Sequence, residues 1–143
     1  MKLQQLSVFM ENRTGRLAEV TRTLGDGGVN IRALAVADTS DFGILRLLVD
    51  KPEAGVKVLT DAGLTVRLTD VIAVEVADRP GGLATILALL HGSRVNVEYM
   101  YAFLERHRDN AILVFRFEEP EKAIGILRDA NIKVFTAEEI SKL

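Results

Sequence analysis

The chain has 143 residues, of which 48% are hydrophobic and 27% charged, with a formal net charge of −2 and no cysteine. This is the composition of a globular protein whose near-neutral surface argues against sequence-independent binding to nucleic acid or a membrane surface, and disulfides and thiolate metal sites are excluded. No apolar run reaches membrane-helix length and the first residues lack an apolar signal segment, so we expect a cytoplasmic protein.

Hydrophobic periodicity predicts the elements of the first 69 residues. Leu6, Val8 and Met10 alternate with residues of the other face, as in a strand, and apolar residues from Arg16 onward follow helical spacing. Pro52 is typical of a helix start. Proline lacks a backbone N–H, and in the first turn of a helix that N–H has no partner in the helix for any residue type. The predicted order is a strand at 6–11, a helix from 16, strands at 29–38 and 44–49 joined by a turn at 38–41, a helix from 52 and a strand at 64–68.

The second half of the chain repeats this order. The predicted elements are strands at 71–76, 95–104 and 111–117, helices at 82–91 and 120–130, and a final strand from 133. Each half therefore has the order βαββαβ. We predict an α+β protein of two ferredoxin-like units in tandem, residues 1–69 and 70–143, each an antiparallel sheet with its helices on one face.

The halves also share sequence, which supports an internal repeat. Between residues 11–34 and 77–100 seven pairs are identical: Arg13/Arg79, Gly15/Gly81, Leu17/Leu83, Ala18/Ala84, Leu24/Leu90, Val29/Val95 and Asn30/Asn96. These pairs concentrate where the first strand of each unit turns into its first helix, and where the second strand begins.

The alternation of residues along the strands predicts which side chains face the helices and which lie on the opposite face of the sheet. The third strands should direct a set of apolar residues at the helices: Leu45, Leu47, Val49, Leu113, Phe115 and Phe117. If no bulge shifts the register, the second strands should place another set on the face away from Ile31 and Val97: Leu34, Val36, Met100, Ala102 and Leu104. An apolar sheet face tends to be covered, so we expect packing between the repeats or between chains, and a homodimer.

Several kinds of chemistry find no support in the sequence. His91 and His107 have no spaced histidine or carboxylate partner, so we expect no metal site and no cofactor. The third strands lack the basic, aromatic pattern of an RNA-recognition module. We identify no catalytic residue; an acylphosphatase-like enzyme on this fold stays a third alternative, although its arginine–asparagine arrangement is not found.

The strand-to-helix turns at 12–15 and 78–81 are the candidate sites. Each places a glycine just before a helix, where unpaired N–H groups and the helix dipole suit a carboxylate. Asn12 and Asp78 supply acceptor oxygens for an ammonium group, and Asn30 and Asn96 begin the neighbouring strands. An α-amino acid carries that pair of charges. Helix capping by Asn12 and Asp78 is the structural alternative, and its weight falls because both copies keep Arg, Gly, Leu-Ala and the distant Val-Asn together.

These motifs resemble the ACT domain, an amino-acid-binding regulatory module. Met10-Glu-Asn-Arg-Thr-Gly15 is similar to the serine-binding regulatory domain of phosphoglycerate dehydrogenase, whose motif begins with histidine and has proline before the glycine. The resemblance implies ligand-contacting asparagines at Asn12 and Asn30, while Met10 in place of histidine favours a more apolar ligand than serine. The predicted ligand-binding residues are Met10, Asn12, Arg13, Thr14, Gly15, Arg16, Leu17, Asn30 and Ile31 in the first copy, and Val76, Asp78, Arg79, Pro80, Gly81, Gly82, Leu83, Asn96 and Val97 in the second.

The resemblance implies a non-catalytic, allosteric regulatory protein that binds an amino acid at interfaces between ACT units and acts through assembly or a separate enzyme partner. The alternative is a structural module that uses its apolar sheet face for assembly without a ligand. The copies differ at Asn12/Asp78, Thr14/Pro80 and Arg16/Gly82, so we expect two related sites that are chemically unequal.

Overall fold

The computed structural model describes residues 1–38 and 41–143. Its elements are β1 (Leu3–Glu11), α1 (Arg16–Asp26), β2 (Ile31–Asp38), β3 (Phe42–Val49), α2 (Pro52–Asp61), β4 (Thr65–Val76), α3 (Gly82–Gly92), β5 (Val97–Ala102), β6 (Ala111–Phe117), α4 (Pro120–Asp129) and α5 (Ala137–Ser141). The chain divides into an N-terminal unit, Gln4–Thr69, and a C-terminal unit, Asp70–Leu143 together with Met1–Leu3. The turn predicted at 38–41 lies partly outside the described residues.

The N-terminal unit is a sheet with helices α1 and α2 on one face. β3 lies between β2 and β1 and pairs with both in antiparallel register. Alternate residues of β1 and β3 meet the helices, and with Val20 and Leu24 of α1 and Leu59 of α2 they form one buried core: Leu6, Val8, Met10, Leu45, Leu47 and Val49. Gly55 brings α2 close to the sheet, because a Cβ there would lie 2.8 Å from a methyl group of Leu6.

The C-terminal unit repeats this arrangement. β6 lies between β5 and the second part of β4, again with antiparallel pairing. Its core joins Ile86 and Leu90 of α3 and Leu127 of α4 to residues on the helix side of the strands: Ile72, Val74, Val76, Phe115 and Phe117. The rings of Phe115 and Phe117 stack with centroids 5.3 Å apart. The predicted fold class, tandem ferredoxin-like units, is confirmed, and so is the helix-facing side of the third strands.

A β-bulge in the second strand of each unit changes one prediction. The register of β2 shifts between Ile31 and Ala33, so that Leu34 pairs with the helix-facing Leu47, and β5 has an equivalent shift. Paired residues of an antiparallel ladder point to the same face. The extra residue therefore moves the following side chains to the face of Ile31. The prediction that they lie on the opposite face is wrong for Leu34, Val36, Met100 and Ala102.

Two other predictions about strands are wrong. The strands predicted at 64–68 and 71–76 are one strand, β4, because the residues between them contain no glycine or proline to break it. The final strand predicted from Lys133 is a single bridge between Val134 and Val74, followed by helix α5. The helix begins because Thr136 and Glu139 form a reciprocal capping box.

None of the helices in residues 1–38 and 41–143 is long and apolar enough to cross a membrane.

Glu139 gives the C-terminal helix a pH-dependent contribution to stability. The hydrogen bond from the Lys133 ammonium, and then that from the Thr136 backbone, lower the pKa of Glu139 from 4.5 to about 2. A lowered pKa in the folded state stabilises the fold above pH 4.5 and loses that effect as the pH falls toward 2. The effect is small because both side chains of the pair are about two-fifths exposed.

We therefore expect Glu139→Gln to flatten the dependence of unfolding free energy on pH between 5 and 2, measured by urea unfolding at stepped pH. Glu138→Gln on the same helix leaves the contact between Lys133 and Glu139 intact and should keep the wild-type slope. An unchanged slope in Glu139→Gln would contradict this role of Glu139.

Candidate functional site

Each unit turns from its first strand into its first helix through a glycine in the left-handed conformation. Gly15 has φ 90° and Gly81 has φ 84°, a region that glycine enters without the steric penalty of a side chain. The helix begins at the next residue, and the glycine carbonyl accepts the first helical hydrogen bond, from Glu19 or Thr85, at 3.0 Å. The chain therefore reverses within four residues, and the helix start lies beside the strand end.

These helix starts carry partial positive charge. The N-cap glycines have no side chain to accept a hydrogen bond from the first-turn N–H groups. Such N–H groups, at the positive end of the helix dipole, attract an anion. The geometry therefore suits a carboxylate at both turns.

A cavity of about 260 Å³ lies at the turn of the N-terminal unit. It is bounded by the end of β1, the first residue of α1, the start of β3 and the loop between α2 and β4. The lining residues are Phe9, Met10, Glu11, Arg16, Phe42, Gly63, Leu64 and Thr65.

The C-terminal unit has a cavity of about 240 Å³ in the corresponding place. Its lining residues are Glu75, Ala77, Arg79, Gly82, Thr85, Ile86, Asn110, Asn131, Ile132 and Lys133. By the repeat alignment, Glu75 corresponds to Phe9, Gly82 to Arg16 and Lys133 to Thr65. The duplication has therefore preserved the position of the cavity while its chemistry has changed.

Arg16 is the main charged group of the N-terminal cavity. Its Nη1 donates to Glu19 at 2.9 Å, while Nη2 is 3.6 Å from Glu11, beyond hydrogen-bond distance. The Arg16 Nε is buried and has no hydrogen-bond partner. Leaving a buried donor unsatisfied costs about 1–3 kcal/mol.

Three polar residues of the C-terminal cavity, Glu75, Asn110 and Lys133, are engaged with one another or with α5, whereas Arg79 lines the same cavity. The Asn110 amide donates to Glu75 at 2.9 Å. Lys133 forms an ion pair with Glu139 and lies 5.1 Å from the ring centroid of Phe135. No side chain fits at Gly82, since a Cβ there would lie 2.0 Å from the carbonyl oxygen of Ala77. The position that carries a guanidinium in the first unit is therefore closed in the second.

The structure distributes the predicted site residues unevenly. Met10 and Arg16 line the N-terminal cavity, and Arg79 and Gly82 line the C-terminal one. The remaining predicted residues flank the turns or begin β2 and β5: Asn12, Arg13, Thr14, Gly15, Leu17, Asn30 and Ile31, and Val76, Asp78, Pro80, Gly81, Leu83, Asn96 and Val97. The Asp78 carboxylate forms an ion pair with Arg106.

Asn12 and Asn30 lie at opposite ends of the N-terminal sheet. Asn12 follows the residue paired with Phe42, at the start of β3, whereas Asn30 precedes the residue paired with Val49, at its end. These two partners are seven steps apart along β3, which is about 23 Å at roughly 3.3 Å per residue. The backbone N–H of Asn30 donates to Asp50 at 2.9 Å, at that far end. A single unit therefore does not bring the two asparagines to one ligand.

Most of the walls of the N-terminal cavity carry no signal in the sequence motif. Glu11 lies within the quoted motif but was not among the predicted ligand contacts. Phe9, Phe42 and the loop at 63–65 lie outside the motif and reach the cavity through strand pairing and the return of the chain after α2. One feature of the repeat does mark a cavity wall. Leu64 and Ile132 each follow a residue in the left-handed conformation, Gly63 or Asn131, at equivalent helix ends.

A larger cavity, of about 520 Å³, lies at the start of α2 in the N-terminal unit. It is lined by Gln4, Lys51, Pro52, Glu53, Ala54 and Leu68. Its lining lies outside the duplicated turn motif, and its charged residues Lys51 and Glu53 are exposed at the helix start.

Comparison with known proteins identifies what the chain resembles. The family described as an ACT domain pair matches residues 1–143. Protein BT0572 from Bacteroides thetaiotaomicron has a similar crystal structure, with 37% identity, a TM-score of 0.93 and coverage of 100% of this chain and 98% of that one. No curated protein matches the sequence.

Two further structures share the fold at low identity. The ligand-free regulatory subunit of aspartate kinase from Thermus thermophilus has 16% identity and a TM-score of 0.65, over 90% of both chains. The corresponding subunit from Thermus flavus has 16% identity and a TM-score of 0.59, over 90% of this chain and 94% of that one.

The close approach of Gly82 to Ala77 predicts a site-specific effect on stability. We expect Gly82→Ala to destabilise the C-terminal unit by about 1–3 kcal/mol, because the added methyl overlaps a backbone oxygen. Gly92→Ala, at the other end of α3, adds a methyl with no atom within 4 Å and should be neutral or slightly stabilising. Urea unfolding of both variants measures this difference, and equal midpoints would show that the turn relaxes to admit a side chain.

Proposed function

The chain belongs to the ACT domain family, and from that premise we propose that it is a non-catalytic regulatory protein whose ligand is a small α-amino acid. We treat residues 1–69 and 70–143 as the two ACT domains. The ligand site lies beside the strand-to-helix turn and involves the predicted residues there, led by Asn12 and Gly15 in the first domain and by Asp78 and Gly81 in the second.

The observation that carries this proposal is the duplicated cavity. Both units have a small cavity at the same place, next to a helix start with uncapped N–H groups. Core packing alone requires no such cavity at two equivalent positions. Volumes of about 240 and 260 Å³ lie just below the range of about 300–1,000 Å³ that is usual for ligand pockets, which favours a ligand of amino-acid size.

The chemistry of the turn suits both charges of an α-amino acid. The carboxylate takes the N–H groups at the start of α1, where the helix dipole favours it. The side-chain oxygen of Asn12 accepts a hydrogen bond from the ammonium group. The ligand side chain then extends into the cavity.

A second copy of the chain completes the site in this proposal. Asn12 and Asn30 of one unit are about 23 Å apart, so a ligand held by both must take them from different units. β2 lies at the edge of its sheet and exposes Leu34 and Val36, by 39% and 48%, which favours association through that edge. The protein is thus proposed to be a homodimer with ligand sites at ACT–ACT interfaces.

Ligand binding at such an interface supplies a route to regulation. A ligand that contacts both copies stabilises the dimer arrangement that holds it, and any partner that distinguishes the arrangements senses the ligand. The proposed partner is a separate enzyme in the cytoplasm. The fold likeness to regulatory subunits of aspartate kinase supports this mode of action without indicating which enzyme is regulated.

A module that assembles through its apolar residues without a ligand is the second candidate function, favoured by the exposure of Leu34 and Val36. It predicts that Leu34→Glu disrupts the oligomer while amino acids leave stability unchanged.

Thermal unfolding with each standard amino acid tests the proposed function. A ligand at about 100 times its dissociation constant adds about 2.7 kcal/mol, which raises the midpoint of a chain this size by roughly 5–10 °C. Asn12→Ala should lose most of this shift while keeping the ligand-free midpoint. If no amino acid shifts the midpoint of ligand-free protein, the regulatory proposal fails and the assembly module is preferred.

Mixed dimers test the two-copy site. Asn12→Ala and Asn30→Ala homodimers should each bind weakly, because every site lacks one contact. Refolding the two variants together makes heterodimers in which one site regains both asparagines, so about half of the sites in those dimers should recover wild-type affinity by calorimetry. Wild-type affinity in the Asn30→Ala homodimer would exclude a contribution from the partner's strand.

A further inference from the structure

Helix α3 of the C-terminal unit differs in composition from the other helices. Its 11 residues, Gly82–Gly92, include no Asp, Glu, Lys or Arg, and His91 is their one titratable side chain. Each of the other helices in residues 1–38 and 41–143 carries at least two acidic or basic residues. A surface helix usually has a charged outer face, whereas a helix that is apolar on all sides is usually covered. The composition of α3 therefore indicates a covered outer face.

The duplicate of α3 shows that the core of the unit does not require this composition. Helix α1 buries Val20 and Leu24, and α3 buries the equivalent Ile86 and Leu90. Three charged residues on the exposed side of α1 nevertheless have exposed, uncharged counterparts in α3, and the pairs are Glu19/Thr85, Arg22/Ala88 and Asp26/Gly92. The same position in the fold accepts charges in one unit and lacks them in the other.

The outer face of α3 consists of small residues beside a leucine. Ile86 and Leu90 point into the core. At 3.6 residues per turn, Ala84 and Ala88 therefore lie on the opposite side of the helix, where both are exposed. The half-buried Leu87 flanks them. Such a face allows another helix to approach closely, because the distance between packed helices depends on the side chains at the contact.

This face can lose its water at little cost. Thr85 carries the one hydroxyl group of the helix, and that hydroxyl donates to the carbonyl of Gly81 at 2.9 Å. Covering the face therefore leaves no side-chain hydroxyl without a hydrogen-bond partner. The exposed methyl groups of Ala84 and Ala88 gain free energy when they are removed from water.

We infer that a second copy of the chain covers this face, with two α3 helices packed against each other across a two-fold axis. Any of the other described helices would bring charged residues to an apolar face, where an unpaired charge is costly, whereas α3 against α3 brings none. A two-fold axis perpendicular to the helices makes the pair antiparallel. The helix dipoles then place ends of opposite partial charge side by side.

The contact between two α3 helices is small. At 1.5 Å per residue the 11 residues make a helix about 16 Å long. Two such faces bury less than the roughly 1,200–2,000 Å² of a stable interface, so the association is weak and depends on concentration. The contact shares no residue with the β2 edge of the proposed homodimer and requires no ligand. Chains that use both surfaces form assemblies larger than a dimer.

Sedimentation velocity of the full chain from about 5 to 500 μM tests the inference. The mass of the wild type should rise up to about twofold across this range, as dimers associate through α3. A variant with both Thr85→Glu and Ala88→Arg should keep a constant mass. These changes give α3 the charges that α1 carries at equivalent positions, so the fold should tolerate them.

Two single changes provide a matched comparison. Ala84→Glu should abolish the rise in mass, whereas Ala18→Glu, at the equivalent exposed position of α1, should behave like the wild type. Leu34→Glu separates this contact from the proposed homodimer. If it removes the β2-edge dimer, the remaining chains should still rise in mass about twofold, from monomer to dimer.

The absence of cysteine from the chain allows a direct test of proximity. Under mild oxidation at high concentration, Ala84→Cys or Ala88→Cys should form an interchain disulfide, because residues near the two-fold axis come within about 7 Å of their copies. Ala18→Cys is the control and should stay reduced for longer.

A wild-type mass that does not change with concentration would overturn the inference, as would an unchanged rise in the variant carrying both Thr85→Glu and Ala88→Arg. Equal disulfide yields at Ala18→Cys and at the two α3 positions would also overturn it. Each of these results would leave the proposed ligand site and the β2-edge dimer standing, because neither uses α3.

Discussion

The candidate site depends on one backbone constraint, the left-handed glycine between the first strand and the first helix of each unit. At φ 90° and 84°, Gly15 and Gly81 let the chain reverse without a long connection. This reversal sets the positive end of the helix against the strand end and leaves a cavity beside it. A Cβ at either position would meet no atom within 4 Å, so the backbone conformation itself, which residues with side chains rarely adopt, is what requires glycine. The glycine in both copies of the motif therefore follows from the backbone conformation of the turn, whatever the cavity holds.

What the two units share is geometry, and what separates them is the chemistry of the cavity walls. The N-terminal cavity is lined by the Arg16 guanidinium, the Glu11 carboxylate and two exposed phenylalanine rings. In the C-terminal cavity Glu75 pairs with Asn110, Lys133 is engaged by the extra helix α5, and the arginine of the lining is Arg79. Because each unit forms its own core, residues at one cavity can change without disturbing the packing of the other unit.

The sequence was sufficient for the order of elements, because alternation in strands, helical spacing and the glycine turns recur in both halves. The sequence did not predict features that depend on pairing between strands distant in the chain. A bulge of one residue in β2 and β5 turned four apolar side chains to the other face, and nothing local to Arg32 or Glu98 signals it. The start of helix α5 has a local sequence signal, the capping box Thr136-Ala-Glu-Glu139. The residues just before it favour a strand, so a strand was predicted there. At the site, the motif located Arg16 and Met10, whereas Phe9 and Phe42 reach the cavity through strand register.

The central claim is that an α-amino acid binds beside the strand-to-helix turn of the N-terminal unit, with its carboxylate at the start of α1. A crystal structure of the full chain, grown with the amino acid that binds most tightly, tests it directly. The account predicts ligand density in the cavity, with the carboxylate within hydrogen-bond distance of the N–H groups at the start of α1. Density for the ligand elsewhere, such as the cavity at the start of α2, with the turn unoccupied, would contradict it.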